Sequence, residues 1–333
     1  MVTIKKIAEH AGFSQATVSR LLKGDESLSI SPDTRNKIIH TALSLGYDRS
    51  KINTTLEKIA VLFWLTEQEE LQDLYFRHLR TSLEKYAKIN NLEICLITHE
   101  DDVIETLNHV SGFIGIGSFS TKEIQSFKHV CEFGVILEIN PRADLFDTVK
   151  PDTDRMTRTA IDLFLKKKYN KIGFIGGSYF NPDTGLEEMD SREEVFRQTL
   201  SQQQLLNDDF IFSRGKFSVE TGYQLASEMV DVLKDDLPEC LFVSSDTIAV
   251  GVLQALNERG ITIPDRMELI SINDNEIAKF VSPPLTTFKI DVEELAKTAV
   301  DSLVDQIIYR RKITKTILLG AELIERKSFI TAI

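Results

Sequence analysis

The first apolar positions of the chain, Ile4, Ile7, Ala8, Val18, Leu21, Ile38, Ala42 and Leu45, recur at the three- and four-residue spacings that place side chains on one helix face. They predict three short helices sharing one small core. The first covers about residues 4–11 and ends at Gly12, the residue type best able to take a left-handed turn. Ser14 stands where an N-cap belongs, so a second helix opens at Gln15 and runs to about Lys23, before Gly24. Helices joined by so short a turn cross steeply. Ser31 followed by Pro32 opens a third helix, which runs to Leu45 before Gly46. Residues 1–47 therefore read as an all-α headpiece. Residues 48–58 are polar, with Ile52 and Leu56 four apart, and read as a hinge linker able to form a turn or two of helix.

From Ile59 onward the pattern changes. Apolar runs of strand length at residues 59–65, 92–97, 112–116 and 135–137 alternate with amphipathic helices at about 70–88 and 121–130. A second series follows, with strands at 172–175, 241–243 and 269–272 and helices at 153–167, 192–203, 219–233, 248–258 and 293–309. Repeated β-α-β units predict parallel sheets covered by helices. Two such series predict a two-lobed α/β domain over residues 59–333, with ligand binding in the crevice facing the carboxyl ends of the strands.

A length of 333 residues agrees with several cores, and no apolar run approaches the ~20 residues needed to span a bilayer. The chain opens directly into amphipathic helix without a signal-like stretch, so the cytoplasm is the expected location. Cys95, Cys131 and Cys240 are far apart and lack metal-ligand spacing, which argues against both a disulfide framework and a zinc site. The six histidines form neither an HExxH motif nor a set with a nucleophile. No enzyme activity, cofactor or metal is expected. The net charge of −12 divides unevenly: residues 1–58 hold nine Lys/Arg against six acids, or +3, leaving −15 for the remainder. A basic tip on an acidic body can touch phosphates while the body is held off DNA. The run from Gly112 to Gly117 is GxxGxG and lacks the strand-loop-helix order of a dinucleotide site, so tight strand-end turns explain it.

Thr3-Ile4-Lys5-Lys6-Ile7-Ala8 and Ala11-Gly12-Phe13-Ser14-Gln15-Ala16-Thr17-Val18-Ser19-Arg20 closely resemble the headpiece motif of the lactose/galactose repressor family, in particular its galactose-operon branch in Gram-positive bacteria. Tyr75-Phe76, the run from Lys171 to Gly177, Ser245-Asp246, Ile272-Asn273-Asp274, Pro283-Pro284-Leu285-Thr286-Thr287 and Glu325-Arg326-Lys327-Ser328 extend the likeness over nearly the whole chain. The resemblance implies a helix-turn-helix headpiece joined to a sensor domain like the type I periplasmic binding proteins. It implies base readout by Gln15, Ala16 and Arg20, residue types suited to adenine, a thymine methyl and guanine respectively. It implies phosphate contacts from Thr3, Ser14, Thr17 and Ser19. Taken without the motif, Arg20 would be a solvated helix residue and Ser14 merely a cap. Leu56 matches the family's minor-groove wedge, although Asn53 and Thr54 depart from the usual pattern and the linker is short; packing on the sensor domain is the other reading.

For the effector the resemblance implies Trp64, Tyr75, Phe76, Glu138, Arg192, Phe217, Ser245 and Asn273. Aromatic faces with a few polar groups suit a sugar. Five of them have a plainer role open: core packing for Trp64 and Phe76, a surface ion pair for Arg192, and strand endings for Ser245 and Asn273, while the neighbouring Asp246 reads as a cap of the next helix. The implied function is a homodimeric repressor of a sugar-utilisation operon, bound to near-palindromic operator DNA and released by a sugar, galactose or a galactoside. Control by a protein corepressor instead of a sugar is the alternative, and no heptad tail points to a tetramer.

Overall fold

The computed structural model describes residues 2–25, 27–48, 51–52, 54, 57–64, 74–98 and 101–331. The headpiece consists of α1 (Ile4–Ala11), α2 (Gln15–Leu22) and α3 (Pro32–Ser44). Each has the cap that its sequence calls for. Thr3, Ser14 and Ser31 accept from the backbone N–H groups of Lys6, Thr17 and Thr34, and Gly12 closes α1 at φ 79°. Ile7, Ala8, Val18, Leu21, Ile38 and Ala42 form the small core. Ile52 joins it with no exposed surface, so this linker residue folds with the headpiece. The other end of the linker begins β1 (Glu57–Trp64).

Lobe one continues with α4 (Leu74–Ile89), β2 (Leu92–Ile97), α5 (Val103–Leu107), β3 (Gly112–Gly117), α6 (Thr121–Val130), β4 (Gly134–Leu137) and β5 (Asp147–Pro151). Lobe two holds α7 (Thr153–Lys166), β6 (Ile172–Gly176), the hairpin β7 (Tyr179–Asn181) and β8 (Leu186–Glu188), α8 (Ser191–Gln202), β9 (Ile211–Ser213), α9 (Val219–Leu233), β10 (Cys240–Val243), α10 (Asp246–Glu258), β11 (Glu268–Asn273) and β12 (Thr286–Lys289). The chain then returns to lobe one through α11 (Val292–Tyr309) and β13 (Thr316–Leu319), and ends in lobe two with β14 (Glu322–Ile324). Lobe one is a parallel sheet in the order β13-β5-β4-β3-β1-β2. Lobe two has the order β14-β12-β11-β10-β6-β9, antiparallel only at β14.

Strands such as β3, β6 and β10 are buried along nearly their whole length, as expected where helices cover both faces of a parallel sheet. The strands' period of two then divides each sheet into two cores. In lobe one, Ile59, Val61 and Phe63 pack with α4 and α11, whereas Ala60, Leu62 and Phe113 pack with α6. In lobe two, Leu241 and Val243 face α9 and α10, whereas Cys240 and Phe242 face α7 and α8. Strand order reverses between β1 and β3 in one lobe and between β6 and β10 in the other. At such switch points the flanking helices lie on opposite faces, and a crevice opens at the carboxyl ends of the strands. Three crossings, near residues 152, 291 and 320, join the lobes and form a hinge. The headpiece rests on the base of lobe one, where the Asn91 amide donates to the Ile52 carbonyl and the His40 ring meets the edge of Tyr309 at 6.2 Å.

The candidate effector cleft and the DNA-reading headpiece

The switch points lie at the ends of β1 and β3 in lobe one, Trp64 and Gly117, and at the ends of β6 and β10 in lobe two, next to Gly177 and Ser244. Gly117 ends β3 at φ 110°, and a Cβ there would lie 2.4 Å from the Trp64 carbonyl oxygen, so glycine is needed for the two strand ends to meet. This accounts for the last glycine of the GxxGxG run without a nucleotide. The Trp64 ring lies 5.4 Å from Phe119, and its indole N–H donates to Glu123 Oε1 at 3.3 Å. Glu123 Oε2 meanwhile accepts from the Ser120 N–H and hydroxyl in a capping box at the start of α6. The tryptophan is therefore half-buried and braced within its own lobe.

Arg192 is the centre of charge in the cleft. Its Nε and one terminal nitrogen bind the two oxygens of Asp190 at 2.6 and 2.8 Å, and its other terminal nitrogen donates to the Ser244 carbonyl at 3.0 Å. The guanidinium stacks on Phe217 at 4.5 Å. Gly177 makes room for that ring: a Cβ there would sit 2.9 Å from both Phe217 and the Gly215 carbonyl. Across the crevice the Tyr75 hydroxyl donates to Glu138, whose backbone is left-handed at φ 67°. Burial pushes the Glu138 carboxyl up, opposed by the Tyr75 bond and by the charges of Arg192 and Lys150. Burial would also raise Asp190, but the Arg192 charge and hydrogen bonds hold it below the usual carboxylate range. The cation of one lobe thus faces the carboxyl and phenol of the other. Two guanidinium N–H groups of Arg192 remain uncommitted.

Of the residues singled out in the sequence, Tyr75, Glu138, Arg192 and Phe217 therefore converge. Asn273 ends β11 half-buried at φ 120°, a backbone conformation rarely adopted by residues with side chains. Phe76 packs against the lobe-one core, with its ring 5.1 Å from Tyr75. Ser245 is committed to a helix end. It is only 2% exposed, and its hydroxyl accepts from Ile248 N–H as the cap of α10, because a helix begins where β10 ends. Asp246 is not the cap but lies in the first turn, where Ser271, Thr287 and the Asn275 N–H all donate to it. Two cleft residues had not been singled out, Asp190 and Ser244. The Ser244 hydroxyl is buried without a hydrogen-bond partner, and Asp190 could have been read as an N-cap two residues before Arg192.

In the headpiece, Gln15, Ala16 and Arg20 lie on the exposed face of α2, while Val18, Leu21 and Leu22 face the core. Thr3 and Ser14 serve as caps, and the Ser14 and Thr17 hydroxyls are 2.8 Å apart; Ser19 is half-buried. Leu56 lies outside the described residues. Among the described residues no helix is long and apolar enough to cross a membrane, and no His/Cys/Asp/Glu group could hold a metal.

A hinged two-lobed binding domain carrying a helix-turn-helix headpiece is the architecture of a ligand-responsive transcription regulator. The chain belongs to the lacI family of bacterial regulatory proteins: that family model matches residues 3–50, and a periplasmic binding protein-like domain matches residues 161–329. It is 46% identical to the HTH-type transcriptional regulator GanR of Bacillus subtilis (strain 168), over 98% of this chain and 99% of the relative. It is 38% identical to LacR of Lactobacillus helveticus over 99% of each, and 34% identical to GalR of Lacticaseibacillus casei over 98% and 99%. These relatives are named as regulators, not enzymes. Among solved structures, the Lac repressor dimer bound to operator and the anti-inducer ONPF superposes with TM-score 0.70 at 20% identity, covering 98% of each chain. The regulator CelR in complex with cellobiose superposes with TM-score 0.68 at 20% identity, over 99% of this chain and 100% of that one.

Proposed function

We propose that this regulator is a cytoplasmic repressor that binds a near-palindromic operator as a homodimer and is released when galactose or a galactoside enters the cleft. The observation carrying this reading is the cross-lobe group of Arg192 on Phe217 facing Tyr75 and Glu138. An aromatic face with charged groups on two hinged walls suits a polyhydroxylated ring. A ligand shifts DNA affinity only through its different affinity for two lobe arrangements, so it must touch both walls. Asn273 is proposed as a further contact, and the names GanR, LacR and GalR point toward galactose-related sugars. On the DNA side, Gln15, Ala16 and Arg20 read bases, Thr3, Ser14, Thr17 and Ser19 contact phosphates, and Leu56 is the candidate wedge.

The test is calorimetry with galactose, lactose, raffinose-type galactosides and glucose, paired with binding to a duplex that the protein has selected from a random pool. A galactoside should bind and weaken the grip on DNA by roughly 5–150-fold, the usual range of allosteric coupling. If none binds at millimolar concentration, the sugar reading fails and a protein corepressor takes its place.

A further inference from the structure

Arg20 does not extend freely from the second helix. Its Nε donates to Asp25 Oδ2 at 2.6 Å, and one terminal nitrogen donates to Ser27 Oγ at 2.9 Å. Ser27 is in turn fixed on Asp25 Oδ1, through its N–H at 3.0 Å and its hydroxyl at 2.6 Å. The Asp25 N–H closes the ring by donating to the Arg20 carbonyl at 3.1 Å. The loop after α2 therefore holds the guanidinium by one edge. Three of its five N–H groups remain, two on one terminal nitrogen and one on the other. They form the end-on fork whose spacing fits guanine O6 and N7.

We propose that Asp25, with Ser27 as its relay, is a specificity-determining positioning residue that aims the Arg20 fork at a guanine edge and keeps it off the phosphates. The proposal rests on the reading that Arg20 contacts a base. A long cationic side chain left to itself samples many rotamers and finds the nearest phosphate, a contact that carries no sequence information. A carboxylate on its inner edge restricts the rotamers and supplies the counter-charge that a phosphate would otherwise provide. The hydrogen bonds from Arg20 and Ser27 hold the Asp25 carboxyl down to about 2, so the brace is charged throughout the working pH range.

The experiment uses the full-length protein and its selected duplex, with each G·C pair of the half-site replaced in turn. Wild type, Arg20→Ala, Asp25→Ala, Asp25→Asn and the Arg20→Ala/Asp25→Ala double variant are compared at several salt concentrations, with melting curves as folding controls. Wild type should discriminate at one G·C pair by about tenfold or more per half-site, the value of a bidentate contact. Asp25→Ala should lose most of that discrimination at that pair alone while binding random DNA as tightly as wild type or tighter. Asp25→Asn should lose part of it, and Asp25→Ala should add nothing in the Arg20→Ala background. A merely structural aspartate would weaken binding to every sequence alike. Full discrimination retained by Asp25→Ala, or a uniform loss, overturns the proposal. If Arg20→Ala itself keeps the preference, the reading of Arg20 is wrong and the proposal falls with it.

Discussion

Asp183 and Thr121 belong to different lobes, yet the Asp183 carboxylate accepts the Thr121 N–H at 2.9 Å and its hydroxyl at 2.7 Å. Asp183 sits at the turn of the β7–β8 hairpin, and Thr121 begins α6 directly beyond the cleft wall. At the hairpin's base Glu187 accepts from Ser178 and the Gly215 N–H of lobe two. The hairpin is thus a clasp rooted in one lobe and closed on the other, separate from the Arg192 group. Asp183→Ala should favour the open arrangement, lower sugar affinity severalfold and enlarge the ligand-free particle in small-angle scattering. Thr121→Val, which keeps the N–H, should have a smaller effect. Unchanged scattering and affinity in Asp183→Ala would show that the clasp has no influence on closure.

Gly177→Ala tests the floor of the cleft. Its new methyl would press on Phe217 and on the Gly215 backbone, neither of which can yield without moving the ring from under Arg192. Overpacking of this kind costs about 1–3 kcal/mol in lobe two. Sugar affinity should drop while operator binding without sugar is preserved. Calorimetry and gel shift on the same preparation separate the two, and normal sugar binding would remove Phe217 from the ligand wall.

The sequence revealed most where one local rule decided the outcome. Ser14, Ser31 and Gly12 mark helix ends through their own capping geometry, and β1, β3, β6 and β10 stand out as apolar runs because both faces are covered. It revealed least where long-range partners substitute for hydrophobicity. In β5, Asp147 is buried because Arg311 and Ser302 reach it from beyond residue 300. In β12, Thr286 and Thr287 are buried on bonds to Ser328 and Asp246. Such strands look polar along the chain. The same holds for the family-like stretches outside the cleft, since Ser328 and Arg326 spend their hydrogen bonds on Leu269, Leu285 and Asp274. The hairpin went unread, because its turn sequence Pro182-Asp183-Thr184-Gly185 is flanked by no alternating pattern. In the cleft, the family resemblance named Arg192 and Phe217, which the structure stacks on each other, but Ser245 and Ser244 differ only in which one a helix recruits as its cap.

Asp246 supplies a pH prediction. Burial raises its carboxyl to about 7, against the hydrogen bonds from Ser271, Thr287 and Asn275. A group whose folded value is raised above its unfolded value stabilises the fold fully below the unfolded value, and that contribution is lost as pH rises through the folded one. The stability difference between wild type and Asp246→Asn should therefore shift against wild type from about pH 4 up to about pH 7, and flatten above it. Melting temperatures of both proteins across pH 5 to 8.5 check this. A difference independent of pH would mean that the three donors keep the carboxyl ionised throughout.

Arg192→Ala removes a partner from a buried ion pair as well as the proposed sugar contact, so its effect must be divided. The side chains of Arg192 and Asp190 are 18% and 9% exposed, and Asp190 would be left charged beside the buried Ser244 carbonyl. Breaking one half of such a pair costs about 3–5 kcal/mol, whereas removing both halves costs much less. Arg192→Ala alone should lower the melting temperature and abolish the sugar response. The double variant Asp190→Ala/Arg192→Ala should regain most of the lost stability and full operator binding, yet remain deaf to sugar, because the fork that spans from Phe217 toward Glu138 and Tyr75 is gone. Operator release measured against sugar concentration in the double variant decides the point. A normal sugar response there would reduce Arg192 to a structural partner of Asp190 and move the effector site elsewhere in the cleft.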